Sequence, residues 1–176
     1  MSVFTRSGAG KLVGAIAVGA VSALLLAGCA GGGGSTTPSE SKGPAEDLTL
    51  KIGSVLPQTG SLAFLGPPEE AGVLLAVNEV NEAKKGLTID FTPGDSGDAD
   101  NKAFETTVPK LQNAGVSAMI GAAASGVTKL FLDSNVAAGI ITFSPANTSP
   151  DFTTWDDKGL YWRTAPSDLL QGEVLA

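Results

Sequence analysis

Histidine is absent from this 176-residue chain, and that removes a large part of catalytic chemistry. Ser-His-Asp triads, Cys-His pairs and His-ligated metal sites all need an imidazole. Cysteine occurs once, so there is neither an intrachain disulfide nor a thiolate zinc cluster. Positive charge is scarce: 11 Lys+Arg stand against 18 Asp+Glu, a net charge of -7. An acidic surface repels phosphate, which argues against a nucleic-acid partner. No metal or other cofactor is called for. What is present is apolar: hydrophobic residues make up 43% and charged residues 16%, a composition that can bury a core.

The first 28 residues carry Arg6 and Lys11 and no acid, and Leu12 to Ala27 is apolar or small apart from Ser22. A positive start, an apolar stretch and small residues read as a secretory signal peptide. The apolar run falls short of the ~20 residues a membrane-spanning helix needs. It ends in Leu26-Ala27-Gly28-Cys29, which resembles the bacterial lipobox. That resemblance implies cleavage before Cys29 and lipidation of its sulfur, and two or more acyl chains anchor a protein stably where one does not. Residues 29–47, rich in Gly, Ser, Thr and Pro, read as a flexible tether.

From Leu48 onward strand and helix patterns alternate. Leu48 to Leu56 alternates and then runs apolar, as a buried strand does. Pro67-Pro68-Glu69-Glu70 opens a helix whose apolar face is Val73, Leu74, Val77 and Val80, with its stop at Gly86. Strands follow at 87–91, 116–120, 140–143 and 160–163. A helix capped by Asp100 carries Phe104, Val108 and Leu111, with a kink expected at Pro109. Another spans 126–138, with Val127, Leu130, Phe131 and Val136 as its apolar residues and Gly139 as its stop. Ser167 or Asp168 caps a last helix, which is still apolar and without a stop signal at Ala176; the chain reads as the N-terminal part of a longer protein. Such alternation predicts an α/β fold, a parallel sheet with helices on both faces. Ligands of such sheets bind beyond the C-terminal strand ends, which here means loops 57–66, 122–128, 144–150 and 164–168. Loop 92–100 is expected further from that crevice.

These loops resemble those of type I periplasmic binding proteins, more narrowly the branched-chain amino-acid (Leu/Ile/Val) substrate-binding proteins of ABC importers. The segments that carry the likeness are Ile52 to Gly60, Gly72 to Asn81, Gly121 to Thr128, Ser144 to Pro150, and Arg163 to Asp168 with Gln171-Gly172. The resemblance implies a first lobe, residues 48–176, of a bilobal receptor. It implies ABC permease subunits as partners and a lipid-anchored place on the outer side of the cell membrane. By it, Ser125 binds a ligand α-carboxylate, with Thr128 in the same segment. Ala146 and Thr148 offer a backbone carbonyl and a hydroxyl, and Phe64 and Leu65 form a side-chain pocket wall. The cysteine pair of some family members is missing; Asp95 and Ala124 stand near those places.

Plainer readings exist for each residue. Ser125 and Thr128 also suit a helix cap, Thr148 a turn, and Phe64 and Leu65 loop anchors packed on the core. Asp95, Asp98 and Asp100 hint at a calcium loop, but the twelve-residue spacing with its final Glu is missing; a solvated loop with a helix cap fits better. A solute receptor for import is the leading function and an enzyme is not expected. A ligand sensor of the same fold is the alternative. An exported Ser-Lys hydrolase through Ser125 and Lys129 is a distant third, since Ala123-Ala-Ser-Gly-Val127 is not a Gly-x-Ser-x-Gly elbow. The anchor has a direct test. Cys29→Ser is expected to release the chain from the membrane fraction or leave it unprocessed; a variant that fractionates and migrates like the parent contradicts lipidation.

Overall fold

A computed structural model describes residues 47–176. The signal segment 1–28, Cys29 and the tether up to residue 46 lie outside the described residues. Five strands, β1 (Leu48–Val55), β2 (Leu87–Thr92), β3 (Ala118–Gly121), β4 (Ile141–Ser144) and β5 (Tyr161–Arg163), form one sheet in the order β2-β1-β3-β4-β5. Every pairing is parallel. β1 shows how local pattern and topology combine. Leu48 to Gly53 pair with β2 and Ile52 to Val55 with β3, so that Ile52 and Gly53 are paired on both sides. Burial deepens along the strand accordingly, from exposed Leu48 to fully buried Val55.

The helices α1 (Gly66–Ala83), α2 (Phe104–Ala114), α3 (Ser125–Ala138) and α4 (Asp168–Leu175) connect or follow the strands. α1 packs on one face and α2 and α3 on the other. Phe104, Val108 and Leu111 of α2 meet Val127 and Phe131 of α3 over Val55 and Met119 of the sheet. Gly53 lets α2 approach closely: a Cβ there would lie 2.6 Å from Leu111 Cδ1. A second, smaller cluster joins Leu132 and Val136 of α3 to Phe152 and Tyr161.

Several boundaries differ from the sequence reading. α1 ends at Ala83 because Lys84 turns left-handed at φ 48°, two residues before Gly86. α2 begins at Phe104, not at a cap on Asp100, and continues unbroken through Pro109. Leu130 is 58% exposed, so the buried stripe of α3 is Val127, Thr128, Phe131, Leu132, Asn135 and Val136. Of the expected α1 face, only Val77 is buried. The left-handed Gly139 and the cap by Ser167, which accepts from Leu169 N, match the sequence expectation.

Loop 92–100 lies against the loop that leaves β1, not apart from it. Asp95 accepts hydrogen bonds from Gln58 N at 2.9 Å, Thr59 N at 3.2 Å, Gly97 N at 2.7 Å and the Thr59 hydroxyl at 2.6 Å. Asp98 accepts from Ser61 N at 2.7 Å and from the N–H groups of Asp100 and Asn101. Asp95 and Asp98 are tethers, and among the described residues no group of three or more His, Cys, Asp or Glu is arranged to hold a metal. Hydrogen bonds from the Asn101, Ser61 and Asp100 N–H groups pull the Asp98 pKa from 3.8 down to about 2. A carboxylate depressed in the folded state stabilises it above the ordinary pKa and loses that effect as pH falls through the folded value. The urea midpoints of the chain and of Asp98→Asn should therefore differ at pH 6 and converge as pH falls from about 4 towards 2. A gap that persists at pH 2 contradicts the tether.

Candidate functional site

β1 and β3 are adjacent in the sheet, but the chain leaves them towards opposite faces, into α1 and α3. This is the switch point at which parallel sheets open a crevice. Gly121 ends β3 at φ 125°, and a Cβ there would lie 2.1 Å from the carbonyl oxygen of Val55. Only glycine lets the chain turn out of the sheet at this contact.

Beyond Gly121, the loops after β3 and β4 are locked together by buried polar groups. Ser144 Oγ donates to the Ala122 carbonyl at 2.7 Å and accepts from Ala146 N and Asn147 N. Asn147, fully buried, donates both amide hydrogens, to the carbonyls of Ala122 at 2.9 Å and Ala123 at 2.8 Å. Its side-chain oxygen accepts from the Tyr161 hydroxyl at 3.1 Å. Burial is the main cause that pushes the Tyr161 pKa up to about 12, so the phenol stays protonated and donating at neutral pH. Arg163 fastens the same loop from below, donating to the Ser149 carbonyl at 2.7 Å.

Ser125 is the first residue of α3; the N-cap is Ala124. Its hydroxyl oxygen accepts from Thr148 N and Ser149 N, each at 3.2 Å. Both lone pairs are then occupied and the hydroxyl hydrogen remains to be donated. The N–H groups of Ser125 and Gly126 precede the first helical hydrogen bonds, which Val127 N and Thr128 N make to the Ala124 carbonyl. They are left over at the positive end of the helix dipole. Among the described residues the Ala146 carbonyl accepts no hydrogen bond and the Thr148 hydroxyl makes none; both residues are half-buried.

The structure thus brings Ser125, Ala146 and Thr148 together. Thr128 is fully buried, and its hydroxyl binds Ala122 N at 3.2 Å and the Ala124 carbonyl at 3.3 Å. It shapes the loop from inside and is not offered to a ligand in this conformation. Phe64 and Leu65 stand on the neighbouring loop after β1. Phe64 is 71% exposed, which rules out a core anchor, and Leu65 is half-buried. Asn147 escaped the sequence reading although it lies in the quoted Ser144 to Pro150 run; its only local signal is an amide in a short run bracketed by Pro145 and Pro150. Lys129 is ion-paired with Asp151 and lies over the Phe152 ring. The hydrogen-bond partners of Ser125 Oγ are two N–H donors, neither able to take its proton. That geometry gives a Ser-Lys hydrolase no support.

Comparison with known proteins agrees with this geometry. The profile of the family described as Periplasmic binding protein matches residues 49–176. The Leucine-, isoleucine-, valine-, threonine-, and alanine-binding protein of Pseudomonas aeruginosa is 30% identical over 128 residues, 72% of this chain and 34% of that protein. The Leu/Ile/Val-binding protein homolog 1 of Brucella abortus is 34% identical over 132 residues, 73% and 34% of the two chains. Among solved structures, the branched-chain amino acid transporter substrate binding protein LivJ of Streptococcus pneumoniae, in complex with isoleucine, superposes with a TM-score of 0.60 at 31% identity. The match covers 69% of this chain and 35% of that one. The chain spans about a third of the length of these relatives. With a profile match over residues 49–176 and relatives of 30% identity and more, the chain belongs to the periplasmic binding protein family.

Proposed function

We propose that residues 48–176 are the first lobe of an extracytoplasmic receptor that captures an amino acid, of the branched-chain type or similar, and presents it to ABC permease subunits. Cys29 holds it to the outer side of the cell membrane through lipid, and the tether gives it slack. The role is binding, without catalysis. The observation that carries the reading is the set of unused groups around Ser125. One hydroxyl hydrogen and two helix-terminal N–H groups suit a carboxylate, and the Thr148 hydroxyl stands beside them. The free Ala146 carbonyl suits the ammonium group on the same ligand carbon. Phe64 and Leu65, on the loop across the switch point, supply apolar surface for a side chain. The relatives named for Leu, Ile and Val binding support the same substrate class.

Two outcomes test this. One lobe encloses a ligand on one side only, whereas small-ligand sites cover ~70–90% of their ligand. The 176-residue chain should therefore bind leucine only weakly by calorimetry, and micromolar affinity contradicts the one-lobe reading. A two-lobed form can be made by placing residues 48–176 where the matched third of the Pseudomonas protein stands. There Ser125→Ala should weaken leucine binding about ten- to hundredfold, since a hydrogen bond to a charged group contributes about 1.5–3 kcal/mol. Leucinamide, lacking the carboxylate, should lose less. Unchanged leucine affinity in Ser125→Ala removes the carboxylate role from this residue.

A further inference from the structure

The loop that leaves β1 is fixed at both ends. Leu56 N donates to the Gly94 carbonyl at 3.1 Å, and the Leu56 carbonyl accepts from Ser96 N at 2.9 Å. At the far end Gly66, the first residue of α1, lies against Pro57: a Cβ there would overlap the Pro57 carbonyl oxygen. Residues 57–66 thus form a closed surface loop with its ends in contact. Packing does not hold the stretch between, since no side chain from Gln58 to Leu65 is buried. Two carboxylates of loop 92–100 hold it instead, Asp95 at Gln58 and Thr59 and Asp98 at Ser61. Asn101 closes the arrangement. Its amide nitrogen donates to Thr59 Oγ1 at 2.9 Å, and its amide oxygen accepts from Asp98 N at 3.0 Å. Gly60, left-handed at φ 87°, lies so close to Asp98 that a Cβ would overlap the carboxylate. Two turns carry this placement to the apolar tip. Ala63 N donates to the Gly60 carbonyl at 3.2 Å, and Leu65 N to the Leu62 carbonyl at 2.9 Å.

Among the described residues no hydrogen bond joins residues 58–65 to the loops after β3 and β4. A side-chain wall counts only against a head group already placed by the loops that Asn147 locks, but its own position is set by Asp95 and Asp98. On the receptor reading above, we propose that these two carboxylates are positioning residues for side-chain specificity. They hold Phe64 and Leu65 as a preformed wall without touching the ligand. A wall already in place costs no ordering when the ligand arrives, whereas a loose one forfeits part of the contact. Loss of either carboxylate therefore lowers the preference for a long aliphatic side chain over a short one and leaves the amino-acid head group bound as before.

The test is an NMR titration of the 176-residue chain with leucine and with alanine, which share a head group and differ in side chain. Leucine should bind the parent about threefold or more tightly than alanine, roughly what one buried methylene contributes. In Asp95→Ala and in Asp98→Ala that preference should be lost, with the affinity for alanine unchanged. Asp95→Asn keeps an oxygen for Gln58 N and Thr59 N and should retain the preference. Asp100→Ala should retain it too, since the exposed Asp100 carboxylate has no hydrogen-bond partner among the described residues. Thr59→Val removes only the hydroxyl that Asp95 and Asn101 share. It should lower the preference in the same direction, even where Asp95→Ala does not fold. Unchanged preference in Asp98→Ala and Thr59→Val, or an equal loss for leucine and alanine, overturns the positioning role. So does a parent that responds at Ser125 and Gly126 yet binds the two amino acids alike. A parent whose Ser125 and Gly126 signals respond to neither amino acid removes the receptor reading itself, and the proposal with it.

Discussion

Everything proposed for the site depends on one buried side chain, the amide of Asn147. Two loops leave neighbouring parallel strands, and each carries backbone groups the sheet no longer satisfies. A buried carbonyl without a donor is costly, of the order of 1–3 kcal/mol. Asn147 answers two of them, at Ala122 and Ala123, while Tyr161 completes its own oxygen. With that spacing set, Thr148 N and Ser149 N reach the Ser125 hydroxyl. The groups that remain unused are then the ones that face outward at the end of β3 and the start of α3. The site is what is left over after the interior has been satisfied.

The same accounting separates the two faces of the molecule. Where α2 and α3 meet the sheet, small residues such as Gly53 permit direct contact and the apolar side chains close over one another. Where α1 meets the sheet, apolar residues remain half-covered and two carboxylate oxygens lack donors.

Much of this was legible in the sequence because it rests on local periodicity. The strand pattern of Leu48 to Val55, the stop at Gly139 and the cap at Ser167 are each decided within a few residues. The parts that were missed are decided by contacts distant in sequence. Asp98 looks like a solvated loop acid until Ser61 is brought to it across 37 positions. Thr128 looks like a cap or a ligand group until Ala122 folds back over its hydroxyl. Leu130 fits the helical stripe by spacing, yet it points past the edge of the core. Ser125, Ala146 and Thr148 were found through family likeness; which of their atoms remain free is visible only in three dimensions.

The most direct measurement of the central claim is an NMR titration of the 176-residue chain with leucine and, separately, with leucinamide, since amide shifts report millimolar contacts that calorimetry misses. Leucine should shift the amide signals of Ser125 and Gly126 first, with Thr148 and Ser149 following through the shared hydroxyl, and leucinamide should shift them far less. Shifts confined to other loops, or equal responses to the two ligands, contradict the account of a carboxylate held at the start of α3.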